Sequence, residues 1–466
     1  MQSPDLIDLD VTGVAHGGVF VARHEGRVVF VPDAIPGERI RARLTEAGPD
    51  ADKRRYWRAE AIDVLEPSPD RRPHVWRQAD IDTPPEQRPG GADFGHIRLD
   101  AQRALKLQVI QDALDRIGGV DVPVMLQGAL AESSPRDELV AEETEDGTGW
   151  RTRVSLHVDA EGRIGPYAAR SHRVIEVDDL PLATREVERV AVELRDMPPG
   201  RVDLVQPADG RVRVIPRPER ERGTRDARLG GRRGRAKAGA ARHPSPTPGP
   251  AKRDPAREVV VERVGGREFR VDAGGFWQVH RLAAHSLTSL VSSLLREQQP
   301  DGPAIDPDAW HLDLYGGVGL FAATLGDLGG ASTRVTSVES DARATEHAGE
   351  NLAGWVGARA ETARVDRWIA RLAAEASAAE RDRLSRGVVL LDPPRSGAGR
   401  EVVEGITALS PATVVYVACD PVALARDLAT FRLAGYETPA VHALDLFPNS
   451  HHVEAVAVLS RADSRG

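Results

Sequence analysis

From residue 258 onward, short apolar runs alternate with stretches of helical spacing. The runs are "WHLDLYGG" (310–317), "TRVTSVE" (333–339), "GVVLLD" (387–392), "TVVYVA" (413–418) and "VEAVAVLS" (453–460). Each is four to eight residues of mostly branched or aromatic side chains, the signature of a strand buried on both faces. Strand and helix in alternation build a parallel α/β sheet, because a parallel neighbour needs a crossover. Such a sheet binds its ligands at the carboxyl ends of the strands. The residues that end these runs are therefore the first place to look for chemistry.

The first run ends in a glycine-rich turn and a helix start, "DLYGGVGLFAATLG" (313–326). Gly316, Gly317 and Gly319 allow a tight turn and close approach of a ligand to the backbone. About 20 residues further on, the next run ends in Glu339, where a carboxylate can accept both hydroxyls of a ribose. Nucleotide-binding sheets and S-adenosylmethionine-dependent methyltransferases share this pairing. The turn does not fit G-x-G-x-x-G, since Phe321 or Ala322 stands at the last position, and this favours the methyl donor. The third run delivers Asp392 to the same edge, and Pro393 and Pro394 then fix the chain direction. Methylases of amino groups place an aromatic residue after D-P-P. Here Arg395 follows, which argues against an exocyclic nitrogen as acceptor.

The fourth run ends in Cys419, the one cysteine of 466 residues. A free cysteine is most often a small buried hydrophobe. Three features favour chemistry instead: the ligand edge, the polar Asp420-Pro421 turn, and the neighbouring donor site. The helical "ALARDLATF" follows, so a helix N-terminus is expected to lower the thiol pKa. Glu454 opens the fifth run, a costly place for a carboxylate without a task or a partner. Burial there would raise its pKa toward that of a general base. His451 and His452 are rivals for that role, and capping of an exposed edge is the bland alternative.

The rest of the chain reads as separate units. Residues 1–66 carry short strands with a hairpin signal at His24-Glu25-Gly26 and suit a small β-barrel of the oligonucleotide-binding kind. Arg39, Arg41 and Arg43 alternate and would share one face of a strand. In residues 67–257, "RLDAQRALKLQVIQDALDRIGG" (98–119) predicts an amphipathic helix through Leu105, Val109, Leu114 and Ile117. Strands follow around "VSLHVD" and "RVRVIP". Residues 217–257 hold 13 Lys/Arg against 4 Asp/Glu, a local +9 in a chain of net charge −9, so the remainder carries −18. This low-complexity stretch predicts a disordered basic insertion, either a solvated linker or an RNA contact. A methyltransferase unit is expected over 258–466. One cysteine excludes an internal disulfide and any all-cysteine metal site within one chain. No run reaches the roughly 18 apolar residues of a membrane span. The acidic N-terminus lacks a signal peptide. A cytoplasmic monomer with no membrane contact is the expectation.

With these residues in place, the chain resembles the RNA 5-methyluridine (uracil-C5) methyltransferase family, class I enzymes that use S-adenosyl-L-methionine. "TGVAHGGVFVARHEGRVVFVPDAIPGERI" resembles its N-terminal TRAM domain. "WRTRVSLHV" and "YAARSHRVIEV" resemble its central α+β domain. "GGFWQVH", "DLYGGVG", "LLDPPRSG", "YVACDP" and "FPNSHHVEAV" resemble its catalytic motifs, in order. The resemblance implies Cys419 as nucleophile and Glu454 as base. It also implies Gln278, Tyr315, Gly317, Gly319, Glu339 and Asp392 at the donor and active site. The implied substrate is a uridine in tRNA or rRNA. Departures are Ala418 and Asp420 in place of the frequent S-C-N-P context, His280 for Asn, and Leu320 for a polar residue. Pro89 and Ala92 stand where many members have iron–sulfur cysteines, so no cluster is expected. The alternative is a non-catalytic RNA-binding or remodelling protein that keeps the fold; the altered Cys419 context and 4% aromatic content lean that way.

Overall fold

The computed structural model describes residues 6–45, 55–133, 139–219, 254–300 and 302–461. Most of the expected basic insertion lies outside the described residues. Its two ends differ from expectation: Arg217 and Pro218 complete the strand Arg213–Pro218, and Pro255–Arg257 form a 3-10 turn capped by Asp254.

The N-terminal strands Leu6–Ala15, Val19–His24, Arg27–Val31, Arg39–Leu44 and Tyr56–Glu66 close into a barrel. Alternation places Phe20, Val29, Val31, Ile40 and Ala61 inside. Glu25 and Gly26, both at positive φ, make the tight turn that the sequence signals. The arginine strand is not a free cationic face. Arg41 and Arg39 reach Asp8, Arg39 also nears Glu66, and Arg43 pairs with Glu60 and Glu86. Cross-strand carboxylates that local pattern could not reveal have already neutralised it.

A four-stranded antiparallel sheet follows, in the order Ile164–Gly165, Arg153–Val158, Gly200–Val205, Arg213–Pro218. The helix before it runs Leu99–Ala113 and then widens into a π turn, Leu114–Gly118, ended by Gly119 at φ 53°. The turn rotates Ile117 out to 48% exposure, so it does not join the apolar face that spacing predicts. The turn packs where Gly118 meets the Ala425 carbonyl, which an added Cβ would approach to 3.0 Å.

The large sheet has nine strands among the described residues. Its path is 359–362, 334–339, 310–314, 388–391, 413–418, 454–461, 441–445 and 124–128, with 436–437 beside 454–461. The expected runs are all in it, and both faces are covered. Val389, Leu391, Val414 and Tyr416 face one core, while Val388, Leu390, Val415 and Val417 face the other. Two features differ from a simple parallel sheet. Glu454–Arg461 runs antiparallel to Thr413–Ala418. Val124–Gly128, far upstream in sequence, adds a parallel edge strand beside Val441–Asp445. No described helix is long and apolar enough to cross a membrane.

Candidate active site

The reversed strand makes the site. Parallel strands deliver their ends to one edge of the sheet, and an antiparallel strand begins at that edge. Ala418 pairs with Ala455, so one step further in the same register Cys419 opposes Glu454. Opposed side chains of an antiparallel pair share a face and lie about 5 Å apart at Cβ. Asp392, following strand Val388–Leu391, stands on the other side of Cys419.

These groups open on one cleft of about 1210 Å³. Gln278, Tyr315, Gly317, Glu339, Asp392, Cys419 and Glu454 all line it. Gly319 does not. It sits at φ 90°, donates to the Gly316 carbonyl at 2.8 Å, and faces Leu352, which an added Cβ would meet at 3.2 Å. Its hydrogen bond closes the turn that carries Gly317.

At one end Glu339 is fixed on the glycine turn. One carboxylate oxygen accepts from Gly317 N–H at 3.2 Å, the other from Asp341 N–H at 2.8 Å and the Ser340 hydroxyl at 3.0 Å. Gly317 (φ 54°) has open space where a Cβ would be, while a Cβ on Gly316 would lie 2.6 Å from Asp313 Oδ2. Asp313, overlooked in the sequence, is the post on which the turn is built. It is fully buried and accepts from Ala322 N–H at 3.0 Å and Ser337 Oγ–H at 3.2 Å. Burial drives its pKa to about 7 despite those bonds. A carboxylate in the middle of "HLDL" was the available signal, since an acid in an apolar strand is costly. Tyr315, beside it, holds a left-handed φ of 64° without being glycine. Such strain clusters at functional sites.

At the other end the electrostatics contradict the expected thiolate. Desolvation, with Glu454 and Asp392 adding negative charge, pushes the Cys419 thiol up to about 12, and Arg395 offsets only part of it. The helix N-terminus does not rescue it, because Asp420 caps that helix: its Oδ1 accepts from Ala423 N–H at 2.8 Å. The other Asp420 oxygen lies 3.3 Å from His16 Nε2, on the barrel's first turn. Glu454 is 7% exposed, and burial with Asp392 nearby raises its pKa well above the usual carboxylate range. Desolvation, with Asp313 adding to it, lifts Asp392 to about 7.

The rivals of Glu454 have other work. His451 Nδ1 and backbone N–H both bond Asp93, and His452 Nε2 meets Arg395 at 3.3 Å. Of the departures, Ala418 is a buried strand residue. His280 stacks on Trp150 at 5.3 Å, held neutral by burial with its pKa near 3. Leu320 lines the cleft.

Fold and site together define a class I methyltransferase. Residues 364–462 match the profile of the tRNA (Uracil-5-)-methyltransferase family, and residues 6–62 match the TRAM domain. An uncharacterised RNA methyltransferase of Streptomyces avermitilis is 37% identical over 98% of both chains. One from Corynebacterium glutamicum is 30% identical over 98% of this chain and 97% of its own. The crystal structure of Pyrococcus abyssi tRNA (uracil-54, C5)-methyltransferase with S-adenosyl-L-homocysteine aligns over 97% of this chain and 100% of that one. Its TM-score is 0.62 at 20% identity, a likeness of fold. The chain belongs to the uracil-C5 RNA methyltransferase family, enzymes that take their methyl group from S-adenosylmethionine.

Proposed function

We propose that this protein methylates C5 of a uridine in tRNA through a covalent bond between Cys419 and C6 of the base. The observation that carries the proposal is one cleft lined by Cys419, Glu454 and Asp392, with Cys419 and Glu454 each next to the last paired residues, Ala418 and Ala455, of adjacent antiparallel strands. The matched family profile and the Pyrococcus abyssi enzyme both concern tRNA, which favours tRNA over rRNA.

The residues suit S-adenosylmethionine. Glu339 offers a carboxylate to a ribose diol, Gly317 leaves its flank open, and Asp392 and Glu454 favour a cation nearby. Gln278 and Tyr315 complete that wall. When bound, the donor supplies an electrophilic methyl group on a sulfonium. The chain's own residues do the rest. C5 of uracil is a weak nucleophile. The Cys419 thiolate adds at C6, the C5–C6 double bond opens, and its electrons shift toward O4, so that C5 becomes an enolate carbon able to take the methyl group. Glu454 then removes the C5 proton. The S–C6 bond breaks, the C5–C6 double bond returns, and Cys419 is released. A base of raised pKa suits that step near neutrality. The base must leave its stack to enter. Phe276, lining the cleft at 73% exposure, offers a ring for stacking.

The chemistry runs without an iron–sulfur cluster on this reading. Pro89 and Ala92 carry no ligand atoms, and Ala92 packs with Trp76 and Trp150 in a hydrophobic cluster. The division of labour is a barrel over 1–66 and a central unit over 67–257 that grip RNA, with the transfer site in 258–466.

tRNA containing 5-fluorouridine, mixed with donor and protein, should leave an adduct stable to denaturation, absent in Cys419→Ala. Glu454→Gln should trap an adduct with ordinary uridine, because the C5 proton stays. No adduct in either experiment, with RNA bound, selects the non-catalytic reading. Mass mapping of 5-methyluridine in tRNA and rRNA from cells with and without the gene decides the substrate.

A further inference from the structure

Two arginines face the acceptor end of the cleft and make no ion pair among the described residues, although the charge of Arg395 reaches Glu454. Arg151 stands just before strand Arg153–Val158 on a fixed platform. Its N–H donates to the Leu182 carbonyl at 2.8 Å, and its carbonyl accepts from Thr184 N–H at 2.9 Å. Trp150 beside it is wedged between His280 and Phe447, at 5.3 and 6.0 Å between ring centres. The Arg151 side chain lines the cleft, and its Nε donates to the Arg153 carbonyl at 3.0 Å. Nη1 and Nη2 meet no acceptor among the described residues. Desolvation lowers its pKa, and the charge of Arg395 lowers it further. Arg395 lines the same cleft and has His452 as its polar contact.

Arg257, also on this cleft, is exposed, whereas three other arginines nearby are matched. Arg153 pairs with Glu262, Arg217 with Asp203 and Arg343 with Asp272. Arg151 is instead desolvated and repelled by the charge of the exposed Arg395. That is a cost in the free protein, and a bound anion removes it. Two forked donors suit a phosphodiester, whose two free oxygens can each take a guanidinium.

We propose that Arg151, together with Arg395, is an anion site for an RNA phosphate next to the everted uridine, an assignment that rests on the uridine-methylation reading. The other anion to consider is the carboxylate of the methyl donor. Position favours the phosphate. Glu339 and Gly317 mark the donor's ribose end. Arg395 borders both the main cleft and a cavity of about 80 Å³ that passes Cys419 to the barrel turn at His16–Gly18. Arg395 thus lies beside the nucleophile on the side of the barrel, with Arg151 near enough to feel its charge.

The test uses the full chain, an unmodified tRNA transcript and S-adenosylhomocysteine as probes. Arg151→Gln should weaken tRNA binding about tenfold and flatten the plot of log affinity against log salt by about 0.7–0.9. Binding of S-adenosylhomocysteine should stay within about twofold of the parent. Arg151→Lys should keep the salt slope but not the full affinity, since it keeps the charge and loses the fork. If Arg151→Gln does not fold, Arg151→Lys decides: tRNA affinity equal to the parent overturns the assignment. An unchanged slope in Arg151→Gln overturns it too. Loss of S-adenosylhomocysteine binding with tRNA binding intact assigns the site to the donor carboxylate. All these readouts are of binding, so a parent protein that binds but never methylates would sink the proposed function and leave the anion site standing.

Discussion

Replacing Glu454 by Gln should make Cys419 more reactive, although it removes the proposed base. Opposed side chains in the register found here lie about 5 Å apart at Cβ. Two unit charges at about 5 Å and an effective dielectric of about 20 interact by about 3 kcal/mol, or about 2 pKa units. Cys419 is half-buried, so solvent screens part of this, leaving about 1–2 units. The thiolate population would then rise about 10–100-fold. A less basic thiolate is also less nucleophilic, with a sensitivity of about 0.5, so the alkylation rate should rise about 3–10-fold. The sign depends on pH. Glu454 has a raised pKa and carries charge only above it. The ratio of variant to parent should therefore be near one in mild acid and grow as the solution becomes alkaline. The assay is iodoacetamide labelling followed by intact mass, at pH values from 6 to 9.5; Cys419 is the sole thiol, so one mass shift reports one site. A folded Glu454→Gln protein that labels no faster than the parent at the alkaline end refutes the juxtaposition of the two residues.

Two further substitutions probe the frame around the site. Asp313 has its pKa raised to about 7 by burial, against 3.8 unperturbed. Between those values the folded state holds a proton that the unfolded state has lost, so stability falls as pH rises through this window. Asp313→Asn keeps an acceptor without the charge and should be stabilising at pH 8 by up to about 4 kcal/mol, and close to neutral at pH 4. Thermal melting at the two pH values checks this, and an equal effect at both would contradict it. Lys106 is buried and donates to Asp445 and to the Phe447 carbonyl, tying the helix Leu99–Ala113 to the loop before Glu454. Lys106→Met should cost about 3–5 kcal/mol in urea unfolding, since among the described residues it leaves the buried Asp445 carboxylate with Arg103 as its remaining ion-pair partner. A loss below about 1 kcal/mol would show that the pair contributes little.

What was legible in the sequence and what was not divides along chain distance. Strand ends, the glycine turn and the identity of Cys419, Glu339 and Asp392 are local statements, and the structure brings them to one cleft. Reversal of the strand Glu454–Arg461 is not local, because a run of apolar residues has no direction until it finds its neighbour. Neutralisation of Arg39, Arg41 and Arg43 depends on Asp8, Glu60, Glu66 and Glu86 across the barrel and beyond it. The error about the thiol has the same origin. A helix start after Cys419 is a local signal, whereas the burial that raises the thiol, and the two carboxylates that add to it, come from other parts of the sheet. These misses have one mechanistic consequence. Burial, together with the carboxylates of Glu454 and Asp392, holds the proton on Cys419, which leaves the sulfur a poor nucleophile in the free protein. On the proposed reading, a cationic donor beside Asp392 and Glu454 offsets both negative charges and lets the thiolate form. Attack on C6 is thereby confined to the state in which a methyl group is at hand, and a covalent dead end with unmethylated RNA is avoided.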